Sequence, residues 1–340
     1  MNPREPKLSF QAQLQTGSPE DWESLWKADP HAVFFQHPAW ASALTAAFPK
    51  WSLHSVVLTQ EGEPVGLLPY FEFKKLGARQ IVSLPFGTYG GPVQKPLPED
   101  FAGAAAEAMV SCLANEASRL ARFEMTVGPT SNAKQAALLQ HFGNHQEPAH
   151  THLIDLSQGF DHLWNKAYDK ETRTCVRKAE REGVTVSVER GGAALDELHR
   201  LYLIQSQAWG TAPLDREVLG RVMDTLGERA SLWIAKRQGQ TYVGVLTLTD
   251  GEKEIIPWVS GTDPEGRRFR ASHILYNAMI EDACNRGYAS MNFGSSAGNP
   301  GIEAFKVSFG AERTELLKFS FEAAWLSKAR RLKGALRGGR

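Results

Sequence analysis

The feature that most constrains this chain is an internal repeat. Residues 55–73, SVVLTQEGEPVGLLPYFEF, read as strand, tight turn and strand, with Glu61-Gly62-Glu63 at the turn and Val65-Gly66 opening the second strand. Residues 232–250, LWIAKRQGQTYVGVLTLTD, repeat the design with Gln238-Gly239-Gln240 and Val243-Gly244. A short apolar strand closed by glycine follows each hairpin after a helical stretch: RFEMTVG ends at Gly128 and YASMNFG at Gly294. Two half-chains therefore share one order of elements, which predicts a duplicated α/β (α+β) module. The seam is expected in the polar, proline-containing stretch between Gly143 and Thr151. The halves are then residues 1–148 and 149–325, followed by a basic tail over 326–340.

Helices are predicted between these landmarks. Residues 37–47 put Trp40, Leu44 and Ala47 on one face, and residues 99–121 are alanine-rich around Met109, Leu113 and Leu120. Residues 160–182 place Phe160, Leu163, Trp164, Ala167, Cys175, Val176 and Ala179 at helical spacing. Residues 272–286 begin at Ser272 as N-cap and end before Gly287.

Composition excludes several classes. An apolar fraction of 42% with 22% charged residues is that of a folded globular chain, not a disordered or fibrous one. Lys+Arg and Asp+Glu balance at 38 each, which argues against a general nucleic-acid coat and leaves only local basic patches. The three cysteines, Cys112, Cys175 and Cys284, are scattered and form no C-x-x-C, which suits a reducing compartment. MNPREPKLSF lacks the apolar stretch of a signal peptide, and no apolar run is long enough for a membrane span. A cytoplasmic location is expected. The tail carries Lys328, Arg330, Arg331, Lys333, Arg337 and Arg340 without an acid. It reads either as a solvated end or as a contact with RNA or the inner face of an anionic membrane.

Three segments carry candidate chemistry. Strand-like residues 255–260, containing Trp258, lead through Gly261-Thr262-Asp263-Pro264-Glu265-Gly266 to Arg267, Arg268 and Arg270, just before the helix at Ser272. Unpaired N–H groups at a helix start, joined by arginines, suit phosphate or another anion. Lys166, Lys170, Arg173, Arg177 and Arg181 form a basic row along the 160–182 helix, which fits either a polyphosphate grip or a solvated face. Lys306 stands among apolar residues after the small-residue loop 293–301, where it either supports an oxyanion or snorkels to water. No metal site is expected: among ten histidines there is no H-E-x-x-H, and His150-Thr151-His152 stands alone. A G-x-S-x-G elbow, a Walker A loop and a dinucleotide fingerprint are all missing.

Five segments in order resemble the FemABX-type aminoacyltransferases, proteins of two fused GNAT domains. They are Phe34-Phe35-Gln36-His37-Pro38-Ala39-Trp40, Leu84 through Pro92, Arg173 through Val184 (R-x-x-x-R-K-A-x-x-x-G-V), Ala283 through Gly294, and Phe305-Lys306-Val307-Ser308-Phe309-Gly310-Ala311. The resemblance implies two tandem GNAT-like domains, each a mixed, mostly antiparallel sheet flanked by helices. It implies an N-acyltransferase that joins an activated acyl donor, aminoacyl-tRNA being favoured, to an amine on a lipid- or nucleotide-linked cell-envelope precursor such as peptidoglycan. No tightly bound cofactor is implied; the tRNA- or CoA-linked donor is a co-substrate. Lys306 would stabilise charge at the reacting carbonyl. Arg173, Arg177 and Lys178 would contact phosphates, Tyr89 and Gly90 would line the acceptor groove, and Phe305 belongs to the C-terminal signature. The alternative is an acetyl- or acyl-CoA-dependent GNAT enzyme acting on an amino sugar or small amine; a third reading is a binding module without turnover. Three departures stand out. Ala43 and Leu44 replace a basic residue after Trp40, Asn292 replaces an aspartate, and Arg267 through Ser272 lacks the central glycine of a coenzyme A loop.

Overall fold

A computed structural model describes residues 9–75, 77–118, 120–296, 298–326 and 328. The chain divides into two compact units, one of Met1–Ala41, Phe48–Ala149 and Glu315–Arg340, the other of Ser42–Ala47 and His150–Thr314.

In the first unit, strands β1 (Phe10–Thr16), β2 (Ser52–Gln60), β3 (Glu63–Lys75) and β4 (Ala78–Val82) pair antiparallel in that order. A two-residue strand, β5 (Val93–Gln94), pairs with β3. Strand β6 (Arg122–Val127) then runs parallel to β4. The β2–β3 turn works as the sequence suggests: Glu61 and Gly62 both have positive φ, at 53° and 89°, the geometry that matches strand twist in a two-residue hairpin. Helices α1 (Trp22–Ala28), α2 (Pro38–Ala47), α3 (Glu99–Ala117) and α4 (Asn132–Phe142) complete the run, although α2 crosses the division between units. Helix α3 buries Ala105, Ala106, Met109, Val110 and Leu113, a stripe at helical spacing. It meets Phe123, Met125 and Val127, the alternate residues of β6.

In the second unit, β7 (Gln146–Asp155) enters at His150. Strands β8 (Thr185–Glu189), β9 (Ala230–Arg237), β10 (Gln240–Thr249) and β11 (Glu254–Thr262) pair antiparallel in sequence. Strand β12 (Ser290–Asn292) is parallel to β11 and antiparallel to β7. The β9–β10 turn again has two positive φ values, Gln238 at 51° and Gly239 at 79°. The helices are the single turn α5 (Phe160–His162), α6 (Lys170–Arg181), α7 (Gly192–Trp209), α8 (Arg216–Leu226), α9 (Ala271–Asn285) and α10 (Pro300–Val307). Leu275, Met279, Ile280 and Ala283 of α9 pack with Val243, Val245, Ile255 and Met291 from the sheet. At roughly 1.5–3 kcal/mol for each large apolar side chain buried, this cluster dominates the unit's stability.

The first unit takes one strand from the second half of the sequence. Strand β7 follows β6 but pairs with β12. Strand β13 (Glu312–Glu322) follows β12, and its residues Leu317–Glu322 pair with β6. Phe319 of β13 is fully buried in the first unit's core. Residues from Glu315 on therefore group with the first unit, whereas the sequence reading carried the second half to 325. The division at Ala149/His150 falls within the polar stretch read as the seam, which is a 3-10 turn over Gly143–His145 followed by the first part of β7. Of the basic tail, only Leu326 and Lys328 lie within the described residues, so its other cations fall outside them.

The 160–182 segment is not one helix. It begins with α5, passes through a π-helical stretch at Leu163–Ala167 and turns extended at Tyr168. Asp169 then caps α6, its carboxylate accepting from Thr172 N at 2.7 Å. A side-chain cap needs an extended residue, so the helix restarts there and Lys166 leaves the basic row. The N-cap of α9 also lies two residues early. Arg270 rather than Ser272 is the N-cap, at φ 59° in the left-handed region.

Candidate active site

The site arises where two parallel strands part. Strand β11 pairs with β12 only at Glu254/Ser290 and Ile255/Met291, yet runs on to Thr262. Beyond that point a cleft of about 500 Å³ opens, lined by Ser260 and Thr262 of β11, Ile204 and Trp209 of α7, His273 and Tyr276 of α9, and Asn299, Ile302 and Phe305 around α10. That volume suits a small molecule or the end of a larger one. On its other edge β11 carries a bulge: Leu246 faces Val259 and Thr247 faces Pro257, so Trp258 is the extra residue. Pro257 has no N–H to give the ladder and fits this irregular position.

Arg267 and Arg270 line the cleft, as the sequence places them, at the start of α9. Asp263 caps the short helical turn before them by accepting from Glu265 N at 3.0 Å. Arg268 does not join them; its guanidinium lies 5.7 Å from the ring centroid of Phe269. The cleft thus combines two cations, the N-terminus of α9 and an aromatic wall. His273 and Phe305 centroids are 5.2 Å apart, and Tyr276 and Phe293 stack at 5.5 Å. The sequence reading did not single out His273 or Tyr276. Their signal is the i, i+3 spacing just after the arginines, which puts both on one helix face. Burial, reinforced by Arg270, lowers His273 to about 4, so it is neutral at pH 7. Burial raises Tyr276 to about 12, partly offset by its hydrogen bond with Ser260.

Lys306 is not among the side chains that line this cleft. It is buried on the adjoining face of α10, where Nζ donates to Gly294 O at 2.7 Å, two residues beyond the end of β12. Burial lowers its pKa to about 8, with Glu303 pulling the other way. The remaining candidates are not brought into the cleft either. Arg173 turns back on the chain, its Nη1 donating to Trp164 O at 3.1 Å and to Tyr168 O, so it braces the break before α6. Arg177 is exposed, 5.5 Å from the Trp164 ring centroid, and Lys178 is half-buried further along α6. Tyr89 and Gly90 belong to the first unit's core. Tyr89 packs edge-on to Phe35, and a Cβ at Gly90 would stand 2.3 Å from Leu84 Cδ1.

Asn292 has a physical reason. Its Nδ2 donates to Glu254 Oε1 at 3.1 Å, while its Oδ1 accepts from Thr151 Oγ1 at 2.7 Å and Gly294 N at 3.0 Å. An aspartate would lose the donor and set a second carboxylate against buried Glu254. Asn292→Asp is expected to cost roughly 2–3 kcal/mol, read as a lower midpoint in chemical denaturation.

Comparison with known proteins agrees with this geometry. Residues 166–307 match the family model described as acetyltransferase (GNAT) domain. Those residues form a GNAT acyltransferase domain. The solved structures add the fold of the whole. A FemX crystal structure superposes with a TM-score of 0.68 at 15% identity, covering 91% of this chain and 97% of that one. A tandem GNAT protein from the clavulanic acid biosynthesis pathway gives 0.55 at 16% identity, with 91% and 98% covered. L-PGS from Bacillus licheniformis gives 0.52 at 14%, with 95% and 97% covered. No curated protein matches the sequence. The tandem GNAT fold that the resemblance implies is therefore the fold observed. Among the described residues, no helix is long and apolar enough to cross a membrane.

Proposed function

We propose that this chain is an N-acyltransferase that takes its donor through the cleft of the GNAT domain. Aminoacyl-tRNA is the favoured donor and an amine on a cell-envelope precursor the acceptor. The observation that carries the reading is the pairing of Arg267 and Arg270 with the N-terminus of α9 in a cleft also lined by Phe305 and Tyr276. The cations suit phosphate and the rings an acyl or nucleoside group. A cleft of this size takes the 3′ end of a tRNA, not its body. FemX and L-PGS support an aminoacyl donor by likeness of fold.

The chemistry needs no covalent enzyme intermediate. A neutral amine attacks the donor carbonyl, an oxyanion forms, and its collapse expels the ribose hydroxyl or thiol as the amine proton departs. Placement of the two reactants supplies most of the rate. Lys306, anchored where β12 leaves β11, is proposed to hold positive charge near that oxyanion. An acyl-CoA donor is the second reading, favoured by the acetyltransferase description of the matched domain.

Transfer of labelled amino acid from charged tRNA to an amine acceptor tests the proposal. Arg267→Ala and Arg270→Ala are each expected to raise the donor KM roughly 10- to 100-fold, the loss of a charge-assisted contact. Thermal stabilisation by acetyl-CoA with no response to charged tRNA would replace the donor. Stabilisation by a donor without turnover would make the chain a binding module.

A further inference from the structure

On a face of α10 that does not line the cleft, two histidines of β7 meet a glutamate of the helix. His150 and His152 are two residues apart on a strand and so project from the same face. Thr151 projects oppositely, onto Asn292. One ring nitrogen of each histidine and one carboxylate oxygen of Glu303 lie within 4.8 Å of one another. His152 Nε2 and Glu303 Oε1 are 3.6 Å apart. Ligands on a tetrahedral zinc ion, with bonds of about 2.0–2.1 Å, stand roughly 3.3 Å apart, so that pair is nearly in place.

Two further observations point to a ligand. The Nε2 atoms of both His150 and His152 are buried and have no hydrogen-bond partner, and His152 is 0% exposed. A wholly buried imidazole nitrogen that faces a carboxylate from beyond hydrogen-bond distance is costly unless something occupies the space between them. The other ring nitrogen of His152, Nδ1, lies 3.4 Å from Ser296 Oγ. With Nδ1–H turned to that hydroxyl, Nε2 keeps its lone pair, the arrangement of a histidine that binds a metal.

We infer that His150, His152 and Glu303 form a site for one borderline divalent cation, Zn²⁺ or a similar first-row metal, with a water as fourth ligand. Two imidazoles and one carboxylate suit such ions, whereas Mg²⁺ and Ca²⁺ require oxygen-rich shells. The surroundings set the affinity. Arg313 Nη1 is 3.6 Å from Glu303 Oε1, and the Lys306 ammonium also acts on His152. The site is therefore tuned weaker than an isolated His₂Glu set, and Arg313 becomes a partner to the ligating carboxylate. A bound ion ties β7 to α10 one turn before Lys306. The proposed site departs from the expectation of no metal site. The H-x-H pair is not isolated, because the fold brings Glu303 to it. The inference stands apart from the proposed acyl transfer.

The test is a zinc titration of the full, untagged, chelator-stripped chain, in competition with a chromogenic chelator. One equivalent is expected to bind, with no response to Mg²⁺. His150→Ala and Glu303→Gln are each expected to weaken binding by about 100-fold or more, and Ser296→Ala by roughly 10-fold. Co²⁺ substitution is expected to give the visible absorption of a four-coordinate ion. Far-UV circular dichroism checks that each variant is folded. His150 and Glu303 are only half-buried, so at least one of the two variants is expected to report on the site. Absence of zinc binding by the native chain overturns the inference, and so does native-like binding by folded Glu303→Gln or His150→Ala.

Discussion

Lys306→Met is expected to lower kcat by about 10²- to 10³-fold while leaving the donor KM within about threefold of native. The charge is removed, but Arg267 and Arg270, which line the cleft, are untouched. Lys306→Arg is the informative companion. Burial holds Lys306 at about 8, against an ordinary lysine value of 10.5. If its charged form supports the oxyanion, native activity carries a limb that falls as pH rises through about 8. An arginine keeps its charge at every working pH, so that limb is expected to vanish in the variant even where its absolute rate is lower. Stability gives an independent reading with the opposite sign. Between about pH 8 and 10.5 the unfolded chain holds the Lys306 proton and the folded chain has released it. Stability contributed by this group therefore rises with pH over that window. Denaturation midpoints are expected to show the rise in the native protein and to lose it in Lys306→Met. A full-rate Lys306→Met variant would detach this residue from the chemistry and leave only its bond to Gly294 O.

Much of this architecture is written locally in the chain. The hairpin turns are visible because a two-residue connection needs positive φ, and Glu61-Gly62 and Gln238-Gly239 supply it. Arg267 and Arg270 are legible for a similar reason: cations next to a helix start act over a few residues, so their spacing survives without tertiary information. What is illegible depends on distant partners. The alternation of β13 marks a half-buried strand, but nothing local says that β6 rather than β12 receives it. The basic row on 160–182 fails because one capping carboxylate, Asp169, outweighs a continuous helical period, and because Arg173 finds backbone carbonyls instead of a ligand. Tyr89 and Gly90 mislead for another reason. Glycines about an aromatic mark close packing as readily as a groove, and here Gly128 leaves room for the Tyr89 ring. Glu303 joins His150 and His152 only through the fold, so no spacing rule exposes that cluster.

Gly261→Ala is expected to be the most damaging single-methyl change for the GNAT domain. The glycine lies on β11 between Ser260 and Thr262, both of which line the cleft. A Cβ there would stand 2.3 Å from Tyr202 N and 2.5 Å from Leu201 C, both backbone atoms of α7. Side chains rotate away from such a contact, but a helix backbone cannot, so α7 must move as a body. Leu198 and Leu201 are fully buried in that helix, and a Cβ at Gly244 of β10 would stand only 3.1 Å from Leu198 Cδ1, so α7 is seated closely there as well. Moving α7 therefore opens the packing along its length. The cost of overpacking a filled core is typically about 1–3 kcal/mol, and backbone contact places this case at or beyond the upper end. Because Ile204 and Trp209 of α7 form one wall of the cleft, the donor KM is expected to rise together with the loss of stability. Gly62→Ala is the control. Unlike Gly261 it carries a positive φ, of 89°, but it has nothing within 4 Å, so it pays only backbone strain and leaves the donor KM unchanged. If Gly261→Ala matched Gly62→Ala in denaturation midpoint and in KM, the close seating of α7 on β11 would be wrong, and the shape of the cleft with it.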